Sequence, residues 1–254
     1  MVSWVFLLGG GAPAPPPPPT TAIRYVALGD SYSSGVAAGD YGDSGDCKRS
    51  AHAYPVLWAA KRKAAEFGFV ACSGATTADV RATQLSTLRE TTTHVTISIG
   101  GNDAGFFDVM TTCTTGTDQQ CADRVEVAKT FARTELPGRL NSLYQDIRTR
   151  SPRAKVVVVG YPRLYEVPAF CPTELSEPKR AKLNEAADVL VEVVKARANA
   201  KKFTFVPVGS RFAGHRICSA DPWLTSLSVP VDESFHPNRN GQELGYLPAL
   251  EKFI

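Results

Sequence analysis

The feature that most constrains the fold is a wholly apolar, β-branched run at residues 156–159, four consecutive valines. A run without a polar position has no face for water, so it is typical of a strand buried on both faces of a parallel sheet. The other predicted strands are separated by helical patterns, and parallel neighbours need crossover connections of that kind. The sequence therefore predicts an α/β fold in which helices cover both faces of a parallel sheet.

Apolar periodicity predicts the remaining elements of this fold. The other strands are expected at residues 25–28, 67–71, 94–99 and 203–208. Helices are expected at residues 53–66 and 123–150, from a start at 176–178, and at 238–253. Within the second of these helices Pro137 and Gly138 should kink or split the chain, because a proline in a helix interior removes a hydrogen bond.

Several of these strands end in a glycine turn with a polar side chain just beyond it. The first ends in Gly29, Asp30 and Ser31, and the glycine permits a sharp turn that leaves the Ser31 hydroxyl at the carboxyl end of the strand. In open α/β sheets the reacting crevice lies beyond those ends, where a nucleophile is useful. Gly-Asp-Ser is also ordinary turn composition, so this motif alone leaves a plain turn equally open.

Three further blocks follow the first in order. Gly74 comes after the second predicted strand, Asn102 lies in GGND after the third, and His236 lies in DESFHP before the last helix. With Ser31 in GDSYSSG, this order resembles the SGNH, or GDSL, hydrolase family, whose four blocks centre on Ser, Gly, Asn and His. Tyr32 stands where the family nickname has leucine. The resemblance covers nearly the whole mature chain.

The phrase ESFHPN and the cysteine spacing resemble the secreted actinobacterial lipase and phospholipase branch of that family. The resemblance implies a three-layer α/β/α sandwich with a five-stranded parallel sheet, and extracellular hydrolysis of acyl esters. It also implies an oxyanion hole formed by the main-chain amides of Ser31 and Gly74 and the side-chain amide of Asn102. Such a mechanism needs no metal or organic cofactor.

The serine needs a base, because its hydroxyl is a weak nucleophile near neutral pH. An imidazole accepts that proton and returns it to the leaving alkoxide, and of the four histidines only His236 has the family context. Many family members place an aspartate three positions earlier, where this chain has Glu233 between Asp232 and Ser234. In the branch that the chain resembles, a main-chain carbonyl can replace the acid. We therefore expect a catalytic dyad of Ser31 and His236, with Glu233, Ser234 and Asp232 as candidates to orient the imidazole.

The six cysteines point to an oxidising compartment. They show no CxxC spacing and no histidine at zinc-site spacing, so a metal site is not expected. An even number in an exported chain predicts three disulfides, although the sequence alone allows many connectivities. Sequential pairing is the simplest and is what the resemblance implies: Cys47–Cys72, Cys113–Cys121 and Cys171–Cys218.

Residues 1–22 combine a short apolar run with glycines and a proline-rich stretch. They are similar to the apolar part of an export signal joined to a spacer, although no Lys or Arg precedes the run, and a disordered tail is the alternative. The run is too short for a transmembrane segment. We assign residues 23–254 to one secreted hydrolase domain and expect a monomer. The net charge of +3 is mild and its cations are scattered among acids, so no nucleic-acid partner is expected.

Substrate choice is weakly encoded. Phe106, Phe107 and Trp223 lie near the turns and are candidates to line an acyl groove, although aromatic residues at such spacing more often belong to the core. An acyl ester of a lipid is the expected substrate, with a lipase or carboxylesterase first, a phospholipase A1 second and a carbohydrate O-deacetylase third. A secreted binding module without catalysis is the alternative from another class. The presence of all four motif residues argues against it.

Overall fold

The computed structural model describes residues 22–167, 171 and 175–254. In that part of the chain the strands are β1 Arg24–Gly29, β2 Glu66–Phe69, β3 His94–Ser98, β4 Lys155–Val159 and β5 Thr204–Val206. They form one sheet in the order β2-β1-β3-β4-β5, and every neighbouring pair is parallel. The predicted α/β class and five-stranded parallel sheet are confirmed. The export segment predicted at residues 1–22 lies outside the described residues, apart from its last position.

Eight α-helices are described. They are α1 Ser31–Ser34, α2 Tyr54–Lys61, α3 Thr77–Asp79, α4 Phe106–Thr115, α5 Asp118–Thr134, α6 Leu136–Arg150, α7 Glu177–Ala200 and α8 Leu247–Glu251. Short 3-10 turns lie at Gly45–Cys47, Leu85–Thr87 and Val231–Glu233. Two π-helical turns lie at Val80–Gln84 and Gly241–Tyr246.

The valines of β4 show how the sheet is buried. Val157 and Val159 belong to a hydrophobic cluster on one face, and Val156 and Val158 belong to a cluster on the other. All four are at most 2% exposed. Residues of α2, α4, α5 and α8 help to complete the first cluster, and residues of α6 and α7 contribute to the second. Helices therefore cover both faces of the sheet, as the apolar run predicts.

The helical stripe predicted at residues 123–150 forms parts of two helices. α5 ends at Thr134 and α6 begins at Leu136, with Pro137 in its first turn. A proline is tolerated there because the first turn of a helix has unpaired amides in any case. The break therefore falls beside the proline that predicts it.

Two other predicted helices differ from the structure. α2 ends at Lys61 rather than at residue 66, since Lys63 adopts a left-handed backbone (φ 50°) that redirects the chain into β2. The closing segment, predicted as one helix at 238–253, is a π-helical turn followed by the short α8. A Cβ added at Gly245 would lie 2.6 Å from the Phe212 ring, so close packing shapes this end of the chain.

The carboxyl ends of β1 and β3 meet at the edge of the sheet where the candidate residues lie. Gly29 pairs with Ser98, and the Asp30 N–H extends this pairing to the Ser98 carbonyl at 3.1 Å. The Gln84 side chain accepts from the Gly29 N–H at 2.8 Å and donates to its carbonyl at 2.9 Å. The chain is therefore fixed on both sides immediately before Ser31.

The structure pairs the six cysteines sequentially, as Cys47–Cys72, Cys113–Cys121 and Cys171–Cys218. The first disulfide links the loop after α1 to the loop after β2, and the second links α4 to α5. The first closes a sequence separation of 25 residues. On the chain-entropy model such a closure stabilises the fold by about 3.5 kcal/mol.

We expect Gly29→Ala to lower the free energy of unfolding by more than about 2 kcal/mol. Gly29 has a φ of 126°, and an added Cβ would collide with the Ser98 carbonyl. Gly138→Ala is the matched control, since no neighbouring atom lies within 4 Å of a Cβ added there in α6. That change should raise the stability by about 0.5 kcal/mol. Urea unfolding of the oxidised variants measures both values, and equal stabilities would contradict this account of the turn.

Candidate active site

Ser31 is the first residue of α1, the four-residue helical turn that follows β1. Asp30 caps this turn, because its carboxylate accepts a hydrogen bond from the Tyr32 N–H at 3.1 Å. Gly35 ends the turn in a left-handed conformation with a φ of 86°. The cap and the glycine hold the serine at a fixed point beyond the end of the strand.

The Asp30 carboxylate is buried and joins three parts of the fold. Besides the Tyr32 N–H, it accepts from the Ser98 hydroxyl at the end of β3, at 2.7 Å, and from the Tyr161 hydroxyl just after β4. Burial raises the pKa of Asp30 to about 6, and these donors oppose the rise. Its hydrogen bonds fix the turn that presents Ser31.

His236 lies beside Ser31, although 205 positions separate the two residues in the sequence. Its Nε2 is 2.7 Å from Ser31 Oγ, and its Nδ1 is 2.8 Å from the main-chain carbonyl of Ser234. A carbonyl only accepts hydrogen bonds, so Nδ1 carries the proton and Nε2 accepts from the Ser31 hydroxyl. This geometry is that of a nucleophile, a base and a group that orients the base.

Burial lowers the pKa of His236 to about 4, while its hydrogen bonds to the main chain of Ser234 and Glu233 oppose the fall. The imidazole is therefore uncharged at neutral pH, which is the form that accepts a proton. A histidine in the unfolded chain has a pKa of about 6.5, so the unfolded state binds the proton more tightly. The stability that this group contributes is present above pH 6.5 and declines as the pH falls toward 4.

The two carboxylates that precede this histidine bind a neighbouring loop rather than the imidazole. Glu233 Oε1 accepts from the Tyr41 hydroxyl at 2.9 Å and lies 3.4 Å from Lys48 Nζ, which also lies 2.7 Å from Asp232. Of the three residues predicted to orient the ring, Glu233 and Asp232 make no hydrogen bond to it through their side chains. Ser234 does so through its main-chain carbonyl.

Ser31, Gly74, Asn102 and His236 all line one cavity of about 400 Å³. Gly74 has a left-handed backbone (φ 75°) with open space beside its Cα. Among the described residues, neither the Ser31 N–H nor the Gly74 N–H has a protein acceptor. Asn102 donates one side-chain amide hydrogen to the Ala75 carbonyl at 3.0 Å, which leaves its second hydrogen available. Three unused donors therefore border the cavity that contains the Ser31 hydroxyl.

Asp103 fixes the turn that carries Asn102. Its carboxylate accepts from the Thr77 N–H at 2.9 Å and from the Thr77 hydroxyl at 2.6 Å. Thr77 is the first residue of α3, only three positions after Gly74. These bonds therefore set the loop after β2 against the loop after β3, and with them two of the three donors.

A second cavity of about 80 Å³ borders α4 and shares Ser31, Asn102, Phe106 and Met110 with the first. Its remaining walls include small and aliphatic side chains of α5 and α7, namely Ala128, Ala132, Leu183, Ala186, Ala187 and Leu190. Phe106, a predicted groove residue, borders both cavities. Met110 was not predicted, although its position one helical turn after Phe106 is a signal that points to it.

The other two aromatic residues predicted to line a groove have different positions. Phe107 lines the larger cavity and is 70% exposed. Trp223 borders neither cavity, since its ring stacks on His215 with centroids 3.7 Å apart and packs against Phe212. Trp223 therefore belongs to the core, the other interpretation that its spacing allows. Leu227 and Val231 line the larger cavity from the loop that contains the 3-10 turn Val231–Glu233, where no periodic signal marks them.

Comparison with known proteins shows the family of the chain. Residues 27–244 match the GDSL-like Lipase/Acylhydrolase family. The chain belongs to this family. The resemblance seen in the four sequence blocks is thereby confirmed, and the chain is a carboxylic ester hydrolase.

Individual members of the GDSL family are similar over most of the chain. Lipase 1 of Streptomyces coelicolor is 50% identical over 228 residues, which are 89% of this chain and 85% of that protein. The crystal structures of phospholipase A1 from Streptomyces albidoflavus NA297 and of an extracellular lipase from Streptomyces rimosus are 48% and 49% identical. Each matches with a TM-score of 0.90 and covers 92% of this chain and 100% of its own.

Residues 22–167, 171 and 175–254 contain no cluster of three or more His, Cys, Asp or Glu side chains that is arranged to hold a metal ion. In the same ranges, no helix has both the length and the apolar character needed to cross a bilayer.

We expect His236→Ala to lower kcat/KM for an ester by about 10³-fold or more, because the serine loses its base. Glu233→Ala should cost less than about tenfold, since Glu233 holds a loop and the Ser234 carbonyl still orients the ring. Tyr41→Phe, which removes the same hydrogen bond from the other side, should resemble Glu233→Ala. Steady-state kinetics of the three variants provide the test, and equal losses for Glu233→Ala and His236→Ala would contradict it.

Proposed function

We propose that this enzyme hydrolyses carboxylic acyl esters of lipids through an acyl-enzyme intermediate on Ser31, with His236 as the general base. The observation that carries the proposal is the 2.7 Å contact between Ser31 Oγ and His236 Nε2, at the junction of two cavities with apolar walls. The family membership supplies the reaction class. The geometry of the site supports the roles that we give to Ser31 and His236.

The chemistry follows from the protonation state of the dyad. As Ser31 Oγ attacks the ester carbonyl, its proton moves to His236 Nε2, and the imidazolium then protonates the leaving alkoxide as the C–O bond breaks. The acyl group remains on Ser31 Oγ. A water molecule then attacks the acyl carbon and passes its proton to Nε2, after which Nε2 returns a proton to Ser31 Oγ and the fatty acid leaves.

The charge on the tetrahedral oxygen needs donors that are already in place. The N–H groups of Ser31 and Gly74 and the free amide hydrogen of Asn102 fill that role in our proposal. Their support is that they border the same cavity without another protein acceptor for those hydrogens. The loss of one such donor typically raises the barrier by about 3 to 4 kcal/mol.

The walls of the smaller cavity favour a hydrocarbon chain as the acyl group. Alanine and leucine side chains of α5 and α7 form much of its lining, and such surfaces bind acyl chains better than sugars. Lipid esters therefore rank above acetylated carbohydrates. A phospholipase A1 activity is the second candidate, because a phospholipase A1 of Streptomyces albidoflavus NA297 is 48% identical with a TM-score of 0.90.

The same proposal includes an extracellular site of action for the domain at residues 23–254, with residues 1–22 as the export segment. Three disulfides support it, since they persist in oxidising compartments. The similar lipase of Streptomyces rimosus is described as extracellular. Ser31, Gly74, Asn102 and His236 come from one chain, so a monomer contains the complete site.

We expect the oxidised protein to hydrolyse p-nitrophenyl esters and Ser31→Ala to lower that turnover by at least about 10³-fold. Ser142→Ala is the matched control, because Ser142 is exposed on α6 and lines neither cavity, and its activity should stay within about threefold. Esters of graded chain length, together with a triacylglycerol and a phosphatidylcholine, separate lipase from phospholipase. Full activity in Ser31→Ala would contradict the proposed nucleophile.

A further inference from the structure

We propose that an apolar rim around the mouth of the active-site cavity inserts into the surface of a zwitterionic lipid aggregate. The rim consists of Phe107, Leu227, Val229 and Val231. This inference rests on the proposed function, since it concerns how the enzyme reaches a substrate that is part of a lipid aggregate. It adds an interaction surface to that site.

The rim gathers exposed apolar side chains that are otherwise scattered. In the described part of the chain eight large hydrophobic residues are exposed, and four of them belong to the rim. Val229 is 99% exposed, Phe107 70%, Val231 64% and Leu227 44%. Isolated exposed apolar residues are normal on a soluble protein, but a contiguous group beside a binding cavity marks an interaction surface.

The rim is continuous with the cavity that holds the dyad. Phe107, Leu227 and Val231 line that cavity together with Ser31 and His236. Val229 lies between Leu227 and Val231 in the sequence, yet it borders neither cavity. Its side chain therefore has no role inside the site and is free to contact a partner outside the protein.

The loop that carries the rim is held in place by its own hydrogen bonds. Its base is closed by the Thr225 N–H to the His236 carbonyl at 2.9 Å and by the Phe235 N–H to the Thr225 carbonyl at 2.8 Å. Across the loop, the Ser228 N–H donates to Ser234 Oγ at 2.9 Å. The exposed valines are therefore presented by an ordered loop that also carries the histidine.

The charges near the rim favour a neutral surface over a charged one. Asp232 lies 2.7 Å from Lys48, and Asp108, next to Phe107, lies 3.6 Å from Arg124. Lys48 also lies 3.4 Å from Glu233, so these three acids outnumber their two cations and give the rim no positive charge with which to attract anionic lipid. Binding by the rim should come from apolar burial and should be insensitive to salt.

The decisive position is Val229, because a change there leaves the cavity walls intact. We expect Val229→Asp to bind sonicated vesicles of ether-linked phosphatidylcholine, which the enzyme cannot hydrolyse at the ether positions, about tenfold more weakly than the parent chain. Val229→Trp should bind more tightly and show a blue-shifted tryptophan emission on binding. Val127→Asp is the matched control, since Val127 is 61% exposed on α5 and lines neither cavity, and its vesicle binding should not change.

Activity on two forms of ester completes the test. Turnover of dissolved p-nitrophenyl butyrate should be the same in Val229→Asp and the parent, whereas hydrolysis of an emulsified long-chain triacylglycerol should fall several-fold. A parent chain that hydrolyses neither ester defeats the proposed function, whatever the vesicles show. If the protein is active and Val229→Asp binds vesicles as well as the parent does, the proposed role of the rim is wrong. It is also wrong if vesicle binding by the parent disappears in high salt. A third result would also contradict the proposal. If the parent self-associates in sedimentation and Val229→Asp abolishes that association, the partner of the rim is a second copy of the chain and not a lipid surface.

Discussion

The geometry of the site depends on the hydrogen bonds of one buried group, the carboxylate of Asp30. It accepts hydrogen bonds from α1, from Ser98 at the end of β3 and from Tyr161 after β4. Three adjacent strand ends are thereby tied to one group, and Ser31 is the next residue. Burial raises the pKa of this carboxyl to about 6, so the ionised form persists at neutral pH at a cost that its donors offset in part. The fold accepts that cost at the residue next to the proposed nucleophile.

The histidine reaches the serine through contacts from several other parts of the chain. The Tyr32 hydroxyl donates to the Phe235 carbonyl at 2.8 Å and so connects α1 to the residue before His236. Lys48 holds the two acids of the same loop, and its neighbour Cys47 is bonded to Cys72. This disulfide therefore lies between the histidine loop and the loop that carries Gly74. The site is assembled by long-range ties around a rigid sheet edge.

The sequence predicts those parts of this assembly that depend on local chemistry. The valine run of β4 and the glycine turn at Gly29 are read from neighbouring residues alone, because strand burial and turn conformation are local properties. The choice of His236 came from the order of four blocks, since no local pattern brings residues 205 positions apart together.

Other features of the site have no sequence signal. The group that orients the imidazole is a main-chain carbonyl, which every residue possesses, so Ser234 cannot be distinguished from Glu233 by its side chain. The sequence allows Trp223 to line a groove or to belong to the core. Its stacking on His215 in the structure places it in the core. Gly245 in the π-helical turn near the end of the chain lies against the ring of Phe212, a residue distant in sequence.

The central claim is that an uncharged, buried His236 activates Ser31, and the pH dependence of covalent modification tests it most directly. A p-nitrophenyl alkylphosphonate should form one adduct, on Ser31, as located by peptide mass spectrometry. Since burial lowers the pKa of His236 to about 4, the modification rate should stay level as the pH drops through 6.5 and decline only as the pH approaches 4. His236→Ala should modify far more slowly and show no such decline. An adduct on another residue, or a parent rate that His236→Ala leaves unchanged, would contradict the account.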